Sequence, residues 1–528
     1  MVNRIDRFEG RDWLGAAMLF VVSFGLRAPF RSHYAYHWDS AQFALAMHHY
    51  DIGLSLPHRP GYFLYVMMGR LMNFLVGDPH ASLVWVSVIA GAALVSLGYL
   101  LATAMFGREC GWASAIILAT SPVCWFHSEI ALTPIVDAAL VTGTMLLCWR
   151  AIGHKGNWPW LVGMSAMAAV VTGVRQQTGP CLFPVFAYTL FRFPRPRWKK
   201  AILAALLFGL GCALWFIPMV YLSGGLGEYM YLLNTRVRLE APTTALGGNL
   251  SVLKDSVCFT VASWWAGLLA AGILAAVEFS VSILHHTAEE RRFVYAHYRD
   301  QFAFLFLWSV PLVALYLMIY MTMPGYILSY FPAVVILTGL GLSQLAHAIT
   351  GIFSSPRQGP RWGYILVLGP VIILNCLMFV SPPAALRPLL LGLELTAPEI
   401  GSHDAELSAV FTRIRSQYRP EDVLICHDKI YFFWSFRHFQ YHLPEYENCL
   451  LSRDRMLAAP YDTKLWYARG DQIQFLDQFD SRNRKVLLLI VPRGTSLENY
   501  AAYFDLHAAE ALPDSGGCVY AVPFEAKR

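Results

Sequence analysis

Charge is scarce in this 528-residue sequence: Asp, Glu, Lys and Arg make up 14% of it, while 56% is hydrophobic and 14% aromatic. An ordinary globular chain carries about 25% charge. So little charge fits a chain that passes repeatedly through a bilayer. Short catalytic motifs are missing too: there is no G-x-S-x-G, no H-E-x-x-H and no Walker loop, which excludes nucleophile-elbow hydrolases, zinc-helix proteases and P-loop enzymes. Gly516-Gly517 has no strand-loop-helix context and reads as a turn. The formal net charge of +5 is scattered over alternate loops, and without one basic face nucleic-acid binding is not expected. No internal repeat is visible. No small-residue cleavage site follows the apolar stretch 13–30, which is read as a retained first span.

The ten cysteines show no metal-ligand spacing. Cys110, Cys124, Cys148, Cys181, Cys212, Cys258 and Cys376 lie in or beside apolar runs, where a thiol packs as a small hydrophobe. Cys426, Cys449 and Cys518 leave room for one disulfide and one odd thiol.

What is abundant is apolar sequence in runs near the ~20 residues that cross a bilayer. Eleven spans are expected, at 13–30, 82–106, 111–126, 130–149, 158–173, 176–191, 201–222, 256–284, 302–323, 325–350 and 363–381. With the N-terminus inside, sixteen basic residues fall in inside segments. Seven (Arg31, Arg59, Arg70, Arg175, Arg236, Arg238 and Lys254) fall outside. This is the asymmetry of the positive-inside rule, and "FRFPRPRWKK" (191–200) is its clearest inside loop. Residues 1–381 are thus read as a multi-span domain with long outside loops at 31–81 and 223–255. In the first of these, Phe43, Met47 and Tyr50 recur at helical spacing after Asp39, as in a helix lying along the membrane surface.

Residues 382–528 read as a small α/β domain on the outer side. Asp404 is expected to cap a helix carrying Leu407, Val410, Phe411 and Ile414. "DVLIC" (422–426), "KVLLLIV" (485–491) and "CVYAVPF" (518–524) are expected strands, and "YFFWSFRHFQYHL" (431–443) is an aromatic helix.

Three carboxylates near the outer boundary need explaining, because a charge at the bilayer centre costs ~2.5–3.5 kcal/mol on insertion scales. They are Asp39 in the first loop, Glu129 in a tight outside turn and Asp137 two turns into a span. One acid removing a proton from an acceptor, with others orienting it, would suit an active site; a helix cap, a solvated turn residue and a buried structural pair are the plain alternatives. On the same side lie His58, Arg59, Arg175, Arg236 and Arg238, whose cationic groups suit an anionic lipid substrate. Tyr326 and Tyr330 could add hydroxyl donors there or belong to an interfacial aromatic belt. The histidines at 33, 37, 48, 49 and 58 are too irregular for a metal site, although a divalent metal stays open. His48, His49 and Asp51 read as a solvated face.

"WDSAQFALA", then "PHRPGYFLY", then a long apolar span resemble the protein O-mannosyltransferase-like branch of the GT-C glycosyltransferase superfamily. Beyond about residue 180 only the layout is similar. The resemblance implies a membrane enzyme that moves a sugar from a polyprenyl-phosphate donor to a protein, lipid or glycan hydroxyl on the outer face, with inversion and no cofactor. It implies Asp39 as base, Glu129 as the second outside acid, and His58, Pro60 and Gly61 as a loop motif. Arg59 replaces the usual Pro, and Gln42 stands where a second acid often follows. A polysaccharide polymerase or ligase, or a transporter or flippase, are the other readings. A multi-pass protein of a bacterial inner membrane, with membrane lipids and the donor as partners, is the expected setting.

Overall fold

A computed structural model describes residues 8–285, 287–318, 323–353, 361–427, 434–450, 484–491, 494–501, 506–513 and 515–523. The chain is mainly helical, with one five-stranded sheet near its C-terminus. Among the described residues seven helices are long and apolar enough to cross a membrane, or eight if one bent pair counts as a single span. This is a multi-pass membrane protein.

The first helix, α1 (Gly10–Arg27), is followed in the first outside loop by α2 (Trp38–His48) and α3 (Phe63–Val76). The apolar α3 is a helix that the sequence reading left inside a loop. α4 (Pro79–Phe106) starts where the Asp78 carboxylate accepts the Ala81 N–H at 2.7 Å and Pro79 takes a position that needs no N–H. The expected span 111–126 is broken into α5 (Arg108–Thr120) and α6 (Pro122–Ser128). Pro122 is the cause, since a proline forces the residue before it out of helical geometry; Ser121 has ψ 121°. Then come α7 (Thr133–Gly153), α8 (Trp158–Val174) and α9 (Thr178–Phe191), the last two shorter than a full crossing.

α10 (Arg197–Leu222) exposes Leu206, Leu210, Leu214 and Ile217, the face expected to meet lipid. The second outside loop holds α11 (Leu226–Glu240). The expected continuous span 256–284 is instead α12 (Leu250–Leu268) and α13 (Ala270–His285), bent by 94° at Leu269. α14 (Ala288–Met318), a short 3-10 turn (Pro324–Ser329), α15 (Phe331–Phe353) and α16 (Arg361–Val380) complete the membrane part.

The outer part opens with α17 (Ala397–Gln417), capped by Thr396. Asp404 therefore does not cap this helix, as its sequence position suggested. It lies two turns in, where its carboxylate accepts the backbone N–H groups of His33 (2.7 Å) and Tyr34 (3.0 Å). Leu407, Val410, Phe411 and Ile414 are buried as their spacing requires. The strands are β1 (Val423–His427), β2 (Glu447–Leu450), β3 (Val486–Ile490), β4 (Glu510–Ala511) and β5 (Val519–Pro523), in the order β2-β1-β3-β5-β4. β1 runs parallel to β2 and β3; β5 is antiparallel to β3 and β4. The aromatic helix is α18 (Phe436–His442); residues 431–433 of its expected range lie outside those described. Cys426 is disulfide-bonded, Cys449 lies opposite it in register, and Cys518 is not disulfide-bonded.

This outer domain sits on the first loop. His442 Nε2 accepts the Ala35 N–H, Arg437 donates to the Leu54 carbonyl, and the Tyr441 hydroxyl donates to Asp78 while accepting the His80 N–H. α2 is consequently buried along most of its length between membrane helices and outer domain, rather than lying open on the membrane surface.

Candidate active site

Asp39 lies in the first turn of α2, where the exposed backbone N–H groups of a helix favour a carboxylate. The cap is His37, whose Nδ1 accepts the Asp39 N–H at 3.1 Å. One carboxylate oxygen, Oδ2, lies 3.6 Å from that ring nitrogen, and the other, Oδ1, lies 3.3 Å from His58 Nδ1. One turn along α2, Gln42 Oε1 meets the same His58 nitrogen at 3.0 Å. Gln42, which replaces an acid in the resemblance, thus fixes the imidazole that faces Asp39. Phe43 and Tyr62 pack against the ring, with centroids 5.4 and 4.7 Å away. Asp39 and His58 keep 27% and 20% of their side chains exposed, so both stay within reach of a substrate.

The loop that delivers His58 depends on Gly61. Its φ of +123° is open mainly to glycine, and a Cβ there would lie 2.6 Å from Ile52 and 2.8 Å from the Tyr50 hydroxyl, which donates to the Gly61 carbonyl. Arg59 is buried and donates to the Leu232 carbonyl at 2.9 Å, so it ties the loop to α11. Arg238 is exposed on α11. Arg236 lies on the same helix, but its side chain is outside those described.

A second cluster gathers Asp137, Arg175 and Tyr326. Asp137 is fully buried in α7 and accepts hydrogen bonds from Thr178 (3.1 Å) and Ser329 through one oxygen. Arg175 ends α8. Its guanidinium stands over Tyr316 (5.7 Å) and Tyr326 (5.3 Å), two rings stacked at 5.1 Å, and it interacts electrostatically with Asp137 and Tyr62. Its Nη1 is buried without a hydrogen-bond partner among the described residues. Because Tyr62 also packs on His58, and Gln176 reaches the Pro60 carbonyl at 3.5 Å, the two clusters adjoin. Tyr326, Tyr330 and Tyr316 line one small recess with Ser256, Thr260 and Ser263. His127 reaches this region from α6: a Cβ at Gly325 would lie 2.5 Å from its Nε2.

Glu129 belongs to a third group. It is buried at the end of α6, and burial raises its carboxyl well above the usual value, against the pull of Arg27, the Trp125 indole and Arg31. Arg27 is wholly buried and donates to Ser128 Oγ and to the carbonyls of Ser23, Leu118 and Ala119. Glu129 thus faces a structural arginine that the sequence reading did not single out.

The sequence gives no signal for His127, Thr178, Tyr316 and Ser329, and it marks His37 only as one of the loop histidines and Gln42 only as a departure from the resemblance. Uncharged Gln, Ser and Thr carry no spacing signal, and Tyr316 sits in a run that reads as plain span. Among the described residues no group of three or more His, Cys, Asp or Glu could hold a metal ion.

Residues 59–252 match the family model described as dolichyl-phosphate-mannose-protein mannosyltransferase. Among solved structures the chain is similar to ArnT from Cupriavidus metallidurans bound to undecaprenyl phosphate: TM-score 0.58, 12% identity, 98% of this chain and 99% of that one covered. The apo state of that protein matches with TM-score 0.56 and 12% identity over 97% and 98%. An oligosaccharyltransferase from Archaeoglobus fulgidus aligns with TM-score 0.45 and 12% identity over 82% of this chain and 63% of that one. No curated protein matches the sequence. The fold is that of the ArnT structures, and residues 59–252 resemble the protein mannosyltransferase family.

Proposed function

We propose that this GT-C-fold chain is a glycosyltransferase that moves a sugar from a polyprenyl-phosphate donor to an acceptor hydroxyl on the outer face of the membrane, with inversion at the anomeric carbon. The observation that carries it is the partly exposed Asp39–His58 pair, 3.3 Å apart, beside a buried Arg175. Removing a proton from a hydroxyl needs a positioned base; the phosphate released needs preorganised positive charge in a water-poor setting. Arg175 with Tyr326 and Tyr316 supplies the second, and Tyr330 with the neighbouring hydroxyls lines a recess for polar groups. Arg59, Arg236 and Arg238 are assigned to the outside loops that frame the lipid headgroup.

The finer topology belongs to the same reading: eleven membrane segments, a cytoplasmic N-terminus, and an outer domain from about residue 382 in a bacterial inner membrane. The disulfide at Cys426 supports an oxidising outer compartment for that domain. The printed ligand of the similar ArnT structure, undecaprenyl phosphate, supports a polyprenyl carrier. The decisive experiment incubates purified full-length protein with radiolabelled polyprenyl-phosphate mannose and a panel of protein, lipid and glycan acceptors, wild type against Asp39→Asn. Transfer by the wild type and its loss in a folded variant are expected. Full transfer by Asp39→Asn removes Asp39 from the chemistry. In a parallel arm with a labelled lipid-linked oligosaccharide, label moved only from that donor makes the protein a ligase; in vesicles, donor translocation without transfer makes it a flippase.

A further inference from the structure

Two acceptors meet one nitrogen at the centre of the site. Gln42 Oε1 at 3.0 Å and Asp39 Oδ1 at 3.3 Å both face His58 Nδ1. Neither oxygen can donate, so the ring proton sits on Nδ1 and the lone pair of the neutral imidazole sits on Nε2. His37 does not compete for Asp39 in the same way. Its Nδ1 already accepts the Asp39 N–H, so it has no proton there to offer the carboxylate.

From this arrangement we propose, on the basis of the transferase reading above, that His58 Nε2 is the atom that takes the acceptor proton, and that Asp39 acts through His58 by holding its tautomer and stabilising the imidazolium. The division of labour is that of a carboxylate–imidazole pair, in which the acid orients the base and carries the balancing charge. In the step, the acceptor O–H bond breaks and its proton moves to Nε2. The freed oxygen pair forms the new bond to the anomeric carbon. The bond from that carbon to the donor phosphate oxygen breaks, and its electron pair leaves on the polyprenyl phosphate. The imidazolium then returns its proton to water. Nothing else is oxidised, reduced or consumed.

This differs from the reading of His58 as a cationic group for an anionic lipid substrate. The following contacts agree with the new one: Phe43 and Tyr62 are uncharged, and the Asp39 carboxylate suits an imidazolium better than it suits an incoming phosphate. Asp39 and Gln42 come from α2, His37 from just before it and Tyr62 from the His58 loop, with Arg175 of α8 facing Tyr62 from behind.

The test measures the pH profile of sugar transfer from radiolabelled polyprenyl-phosphate mannose by the full chain in detergent, with His58→Asn and His58→Gln checked for melting temperature and gel-filtration profile. An imidazole base places the acid limb of kcat/KM near the ordinary histidine value of about 6.5, and a carboxylate base near about 4. Expected are a limb in the imidazole range, its disappearance in both variants, and a drop of about 10²–10⁴ in kcat with the donor KM little changed. A limb in the carboxylate range that survives in the variants overturns the proposal. So does a raised donor KM at unchanged kcat, which makes His58 a phosphate ligand. If neither variant folds, Gln42→Met removes one of the two acceptors and leaves the ring; a lowered rate with a shifted limb is expected, and an unchanged profile counts against the relay. Absence of any wild-type transfer sinks the transferase reading itself, whereas transfer with a His58-independent profile sinks only the relay.

Discussion

His442 accepts the backbone N–H of Ala35 through Nε2 at 3.1 Å, and so one imidazole joins the outer domain to the loop that carries Asp39. A ring nitrogen holding that bond cannot be protonated without losing it. Burial lowers His442 and His438 well below their ordinary value, and pushes His37 down to about 4. His33, His80, His403, Asp78, Arg415 and Asp404 also face this interface. A histidine with a depressed value binds fewer protons folded than unfolded. Its stabilisation is full above the ordinary value of about 6.5 and is lost as pH falls from there toward the folded value. Asp404, raised by burial, works in the opposite direction. Because several histidines act together, the melting temperature is expected to fall by several degrees between pH 7.5 and 5. His442→Gln, which keeps an acceptor for Ala35 and cannot be charged, should flatten that fall. A melting temperature independent of pH over this range would show that these histidines are not coupled to folding.

Arg27 and Glu129 make a separate prediction. Arg27→Gln removes the positive charge that opposes the burial of Glu129 and takes a donor from Ser128 Oγ and the carbonyls of Ser23, Leu118 and Ala119, so it should destabilise the fold by about 1–3 kcal/mol. Glu129→Gln removes the charge and keeps the shape, so it should cost less. In the double variant the loss should be smaller than the sum of the two. A double-mutant cycle by chemical denaturation measures it; strict additivity means the two groups are not coupled.

Much of the fold was legible because it rests on periodicity. The buried face of α17 and strands β1, β3 and β5 follow from spacing alone. Helix breaks were harder to see. The bend at Leu269 has neither glycine nor proline at the break to announce it, and α3 is apolar yet short enough to read as loop. At the site, charged residues drew attention in proportion to their charge. Asp39 and His58 do meet, and so do Asp137, Arg175 and Tyr326. Arg59 donates to a backbone carbonyl of α11. The groups that make the first cluster specific, His37 and Gln42, act by accepting hydrogen bonds, which no spacing rule reveals.

Arg175→Lys tests the second cluster. Lysine keeps the charge but loses the planar fork and the stacking over Tyr316 and Tyr326. Because the guanidinium is assigned to the phosphate that departs, kcat should fall about tenfold or more, equivalent to about 1.4 kcal/mol. Steady-state transfer assays with a varied polyprenyl-phosphate donor separate kcat from KM. A raised donor KM at unchanged kcat assigns Arg175 to donor binding alone and counts against its role in departure.

The orientation of the outer domain can be fixed independently of catalysis. Disulfides persist in oxidising compartments and are rare in the cytosol, and Cys426 is bonded. The domain also contacts α2 beside Asp39 through Phe436, whose ring lies 5.5 Å from Trp38, so both stand on the same side of the membrane. Alkaline phosphatase fused after Arg528 should therefore be active in a bacterial host, and green fluorescent protein at the same position should be dark. The opposite result would put Asp39 on the cytoplasmic side and reverse the charge argument, since the loops with sixteen basic residues would then face out. Treating intact cells with a membrane-impermeant reductant gives a second measure. If the domain faces out, Cys426, which is wholly buried, is alkylated in the unfolded protein only after reduction, and Cys426→Ala abolishes that dependence on reductant.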